Sequence, residues 1–139
     1  MKIAIVNGPN LNLLGTREPQ IYGTETMEGV LETIKSTFPE VIFEYFQSNH
    51  EGAIIDFLQQ SDFDALVINP AAYTHYSYAI ADGLKNIQKK KIEVHISNIY
   101  QREPFRLKSV TAPYVDGVIT GLGTKGYLLA VSAIVNEVY

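Results

Sequence analysis

Two pairs of residues in this 139-residue sequence have the types and spacing to move protons. In EVHIS, residues 93–97, Glu93, His95 and Ser97 alternate with Val94 and Ile96. An extended chain has a period of two, so these three polar side chains share a face. Glu93 can then reach His95, fix its tautomer and favour its protonated form. The second pair, Arg17 and Tyr22, lies in NGPNLNLLGTREPQIYG, residues 7–23. An ordinary phenol is only about 0.1% ionised at pH 7. Using it as a base requires about 3–4 kcal/mol of stabilisation of the phenolate, a scale that a close guanidinium in a dry site can supply.

Other polar residues accompany these pairs. Asn10 and Asn69 each adjoin a proline, in GPN and NP, and a restricted backbone makes each carboxamide a positioned donor and acceptor. His75 precedes a helical pattern in YTHYS, where Ser77 is a candidate N-cap. Arg102 and Arg106, in QREPFR, suit an anionic or hydroxylated ligand. Each has an ordinary alternative. His95 could be a satisfied strand-end histidine, Tyr22 could pack its loop down, the asparagines could form Asx turns, and the arginines could be solvated. Asp82, inside a helical pattern, reads as a solvated carboxylate, His50 as structural, and KKK at 89–91 as a solvated helix end facing the negative pole of the dipole. Two proton-moving groups, with no Ser or Cys nucleophile arrangement, point to proton abstraction followed by elimination or isomerisation.

The elements that must position these groups follow from the apolar pattern. Five short runs read as strands: KIAIV (2–6), VIFEYF (41–46), ALVIN (65–69), EVHIS (93–97) and GVIT (117–120). Between them apolar residues recur at helical spacing over about 25–38, 51–60 and 77–88, with a last helix from about Gly123. Strand–helix alternation predicts a single α/β domain over residues 1–139: a three-layer, flavodoxin-like fold with a five-stranded parallel sheet in the order 2-1-3-4-5. Ligands in such sheets sit beyond the carboxyl ends of the strands, near the switch between strands 1 and 3. The chemistry-bearing residues follow the strands at that rim. A loop as long as residues 7–23 is uncommon in a compact domain and reads as a lid or binding loop.

Composition narrows the classes further. A net charge of −4 argues against a nucleic-acid partner. No apolar run is long enough to span a membrane, and the short apolar N-terminus reads as a strand rather than a signal peptide. With no cysteine there is neither a disulfide framework nor a thiolate site, and a cytoplasmic enzyme or binding domain is expected. The histidines at 50, 75 and 95 lie on separate segments, so nothing in their spacing calls for a metal. GLGTKG, 121–126, spells a dinucleotide fingerprint, but it follows the last strand with no second strand after it. Its glycines are expected to serve a tight turn and close packing of the last helix. The asparagines at 7 and 69 stand where a receiver domain would carry acidic residues, and NGPNLNLLG is not a flavodoxin phosphate loop.

Taken together, NGPNLNLLGTREPQIYG, QSNHEG, NPAAYTHYSYAIADG, EVHISNIYQREPFR and GLGTKGY resemble, in order and along nearly the whole chain, type II 3-dehydroquinate dehydratase. The resemblance implies a flavodoxin-like enzyme with no cofactor or metal that dehydrates 3-dehydroquinate to 3-dehydroshikimate, the third step of the shikimate pathway, by anti elimination through an enolate. It implies Tyr22 as the base, Arg17 as the cation that keeps the phenolate ionised, and His95, oriented by Glu93, as the acid. Asn10 would hold a water on the enolate oxygen. Asn69, Ile96 and Ser97 would meet the substrate carboxylate, and His75 and Arg106 the ring hydroxyls. Asp82 would reach a neighbouring subunit's site in a dodecamer built from trimers. The sequence departs from the family's common pattern at Ala71, Tyr76 and Ala81, which touches rim detail and subunit contacts rather than the reaction.

Overall fold

The computed structural model describes residues 1–16 and 18–136. Within them, β1 (Lys2–Asn7), β2 (Ile42–Gln47), β3 (Ala65–Asn69), β4 (Lys90–His95) and β5 (Gly117–Thr120) form one parallel sheet in the order β2-β1-β3-β4-β5, as the alternation predicts. The helices are α1 (Pro19–Tyr22), α2 (Met27–Thr37), α3 (Glu51–Gln60), α4 (Tyr78–Lys85) and α5 (Lys125–Asn136).

Period two sorts the strand residues between two cores. Ile3, Ile5, Val67 and Val94 pack on one face with Val30 and Ile34 of α2 and Ala130 and Val131 of α5. Ala4, Val6, Leu66 and Ile68 pack on the other with Ile54 and Leu58 of α3 and Ile80 and Leu84 of α4. Covering both faces explains why β1 and β3 are almost wholly buried. Two glycines are needed for close approach. A Cβ at Gly8 would stand 2.4 Å from the Pro70 carbonyl oxygen, and one at Gly126 would press on Val94 at 3.0 Å. The second lets α5 lie tight on the sheet, the packing expected of GLGTKG.

Three local expectations change. The fourth strand begins at Lys90 rather than Glu93 and ends at His95, leaving Ser97 beyond it. The lysine run is therefore not a helix end. Lys91 is a buried strand residue whose ammonium donates to the carbonyls of Leu84 (3.1 Å) and Ile87, at the end of α4. The electrostatic half of that reading survives, because the cation does meet the helix's negative pole. The long loop after β1 is not structureless either. It forms a 3-10 turn at Leu11–Leu13 and then α1, which starts at Pro19, where a missing N–H does no harm. Leu11 and Leu14 anchor it in the core. Ser77 caps α4 as expected, accepting from the Ile80 N–H at 3.0 Å.

Candidate active site

A cavity opens at the carboxyl ends of β1, β3 and β4. Asn10, Tyr22, Asn69, His75, His95, Ile96, Ser97, Arg102 and Arg106 all line it, although they come from segments far apart in sequence.

One end of the cavity is built into the sheet. Glu93 is fully buried, and its Oε2 lies 2.6 Å from Nε2 of His95. Such burial is tolerable for a carboxylate only when its oxygens are met. Here the Thr111 hydroxyl donates to Oε1 at 2.6 Å and the Thr74 hydroxyl reaches Oε2 at 3.1 Å. Ser109 lies 2.7 Å from Thr74, and the Val110 N–H donates to the Thr74 carbonyl at 2.7 Å. Segment 108–111 thus braces Glu93, which in turn fixes the ring of His95. The same segment orients His75, whose Nδ1–H donates to the Lys108 carbonyl at 2.8 Å, leaving Nε2 as an acceptor. Burial lowers the His75 pKa below the ordinary histidine value, and nearby Arg106 adds to this against the opposing Lys108 hydrogen bond.

The opposite end is built from the loop that follows β1. Tyr22 closes α1, packs its ring against the core cluster and lines the cavity. The Arg102 guanidinium lies 5.3 Å from the centroid of that ring, and its Nη1 donates to Ser97 Oγ at 3.2 Å. Arg102 therefore bridges the loop after β1 and the end of β4, a role its place in QREPFR did not reveal. Arg17, expected beside Tyr22, lies outside the described residues. Asn10 is held in the left-handed region (φ 69°), its N–H donating to Asn49 Oδ1 at 3.0 Å.

At the floor, Asn69 Oδ1 accepts from the Ala71 N–H (3.0 Å) and its Nδ2 donates to the Tyr127 hydroxyl (2.9 Å). Arg106 is paired with Glu103 through Nε at 3.2 Å and Nη2 at 3.4 Å. Asp82 is exposed on α4 and does not line this chain's cavity. Among the described residues no group of His, Cys, Asp or Glu converges as metal ligands would, and no helix is long and apolar enough to cross a membrane.

Residues 1–135 match the family described as dehydroquinase class II. The chain belongs to that family. It is 55% identical over 136 residues to the 3-dehydroquinate dehydratase of Thermotoga petrophila, covering 96% of this chain and 94% of the relative. The crystal structure of the type II dehydroquinase from Butyrivibrio crossotus superposes with a TM-score of 0.92 at 51% identity, covering 96% of this chain and 97% of that one. The type II dehydroquinase from Propionibacterium acnes gives a TM-score of 0.92 at 45% identity, covering 97% and 96%.

Within this site, the sequence reading missed Thr74, Ser109, Thr111 and Tyr127. The hydroxyls at 74, 109 and 111 lie in segments without periodicity, and Tyr127 reads only as an apolar position of the last helix. Only the fold shows that they converge on Glu93 and Asn69.

Proposed function

We propose that this chain is a 3-dehydroquinate dehydratase of the shikimate pathway that works without metal or cofactor. The observation that carries the reading is the cavity that gathers Tyr22 and His95, the latter backed by buried Glu93, in a chain of the class II dehydroquinase family.

In the proposed reaction Tyr22, as phenolate, takes the proton alpha to the substrate ketone. The released C–H electrons form an enolate. The enolate then re-forms the ketone while the bond to the neighbouring hydroxyl breaks, and imidazolium His95 protonates that oxygen so that water leaves. Proton and hydroxyl depart from opposite faces, which suits a base on the lid and an acid on the sheet. Arg17 supports the phenolate, Glu93 orients His95, and Asn10 positions a water on the enolate oxygen. Asn69, the Ile96 backbone and Ser97 receive the carboxylate, and His75 and Arg106 take the ring hydroxyls. For Arg106 this means leaving Glu103, a partner at an exposed site. The assembly proposed is a homododecamer of trimers in which exposed Asp82 reaches a neighbouring copy's cavity. Exposed Tyr76 and Tyr78, beside the start of α4, suit burial in such an assembly.

Incubation of the purified protein with 3-dehydroquinate and a chelator tests the reading. The ultraviolet absorbance of the conjugated enone is expected to rise at the same rate with and without chelator. No absorbance change would leave a non-catalytic carboxylate-binding module. Loss of activity on chelation would overturn the metal-free mechanism.

A further inference from the structure

Asn7 and Asn69 end the two neighbouring central strands as register partners, at the switch point of the sheet. Both are buried, yet Asn7 does not line the cavity. Between them stands Tyr127 of α5, fully buried, whose hydroxyl donates to Asn7 Oδ1 at 2.7 Å and accepts from Asn69 Nδ2 at 2.9 Å. At the far end Asn7 Nδ2 donates to the Tyr45 hydroxyl at 3.2 Å.

Counting protons sets the direction of this chain. A phenol has one hydrogen to give. The Ala71 N–H can only donate and so takes the Asn69 oxygen, which leaves the Asn69 nitrogen facing Tyr127 and sends the Tyr127 proton to the Asn7 oxygen. Tyr127 can then only accept from Asn69, which must face it with nitrogen. The Ala71 N–H requires oxygen on the other side of the same carboxamide, at 3.0 Å. Both ends of the Asn69 amide are thus specified, and its second N–H has no partner among the described residues, while the side chain borders the cavity. Burial also holds the Tyr127 pKa well above the ordinary tyrosine value, so the hydroxyl stays protonated and the polarity does not reverse.

We propose that Tyr127, with Asn7 behind it, is a positioning residue that locks the Asn69 carboxamide with an N–H toward the bound carboxylate. Neither touches the ligand. They act by forbidding the flipped amide, which would present an oxygen to an anion. The inference rests on the reading that Asn69 meets the substrate carboxylate.

Two variants and one measurement on the unaltered protein test it. Tyr127→Phe removes the acceptor. Asn7→Val leaves the Tyr127 proton without its acceptor, so that it turns on Asn69 and demands an oxygen there. Both are expected to raise KM for 3-dehydroquinate about tenfold or more while kcat stays within about threefold, because binding is lost equally in ground and transition states. In the unaltered protein, side-chain amide NMR of Asn69, assigned by its absence in Asn69→Ala, is expected to show one amide proton exchanging slowly and the other fast. KM within about twofold of the unaltered value in a folded Tyr127→Phe, with only the melting temperature lowered, overturns the proposal. So do equal exchange rates for the two Asn69 protons, a result that requires no variant to fold. Because exchange is read without turnover, failure of the dehydratase reading stays distinguishable from failure of this one.

Discussion

The two ends of the cavity are built differently. His95 ends β4, an interior strand of the sheet, and its partner Glu93 is buried under hydroxyls from two further segments. Tyr22 sits on a one-turn helix, Pro19–Tyr22, bracketed by Glu18 and Gly23, both at positive φ and both exposed. His95 is thus held by a buried part of the molecule, and Tyr22 by a short, half-exposed turn. In the proposed reaction an acid so braced would keep its geometry whether or not ligand is present. A base on a short exposed turn would, in the same reaction, let substrate enter and would exclude water once that turn is covered. Arg102 joins the two ends by lying over the Tyr22 ring while donating to Ser97 just past β4.

The comparison can be broken from either side. The largest effects are expected from Tyr22→Phe and His95→Ala. Each should lower kcat by about 10³-fold or more, with the circular dichroism spectrum of the native protein, since each removes a proton-transfer group. A near-native rate in either would refute its role. Thr111→Val should separate the ends next. It deprives buried Glu93 of a donor, and is expected to lower stability by about 1–3 kcal/mol in denaturant titration and kcat by about tenfold or more. Thr111→Ser should restore both. A variant stable and active as the native protein would show that the brace on Glu93 is idle.

A smaller effect is expected from Arg102→Ala, about tenfold or less in kcat with stability little changed, because it loosens the bridge to Tyr22 and leaves the buried acid pair intact. Arg102→Lys should rescue only partly, since the planar guanidinium both stacks and donates. If Arg102→Ala instead lowered stability as much as Thr111→Val, the contrast between the ends would be wrong. The smallest effect concerns pH. The His75 pKa is lowered in the fold, chiefly by burial, so the fold prefers the neutral ring. That contribution is present above the unfolded value of about 6.5 and is lost as pH falls through the folded value. Thermal unfolding of His75→Gln between about pH 7.5 and 5 should show a shallower loss of stability than the native protein; an equal slope would remove His75 as its source.

Much of this was legible before any coordinates. Alternation of β-branched runs with helical spacing narrowed the strand order to a few right-handed topologies, among them the 2-1-3-4-5 order that the sheet has. The i, i+2 spacing of Glu93 and His95 was enough for their contact. The start of β4 was misread because Lys89, Lys90 and Lys91 look solvated by type, whereas Lys91 lays its stem in the strand and gives its charge to the end of α4. Ala71 shows the converse. It was marked as a departure where the family commonly has glycine, and the backbone there is at φ 54°, in the left-handed region that glycine enters freely.

The sequence by itself determined the layers, the rim on which the chemistry gathers and the residue types able to exchange protons, since these follow from periodicity and side-chain chemistry along short stretches. Only the tertiary structure decided how those groups are held. Tyr127 reaches Asn7 and Asn69, and Thr111 reaches Glu93, across sequence separations of 120, 58 and 18 residues. A hydrogen bond between distant segments depends on where the whole chain has placed both partners, and no local pattern encodes it.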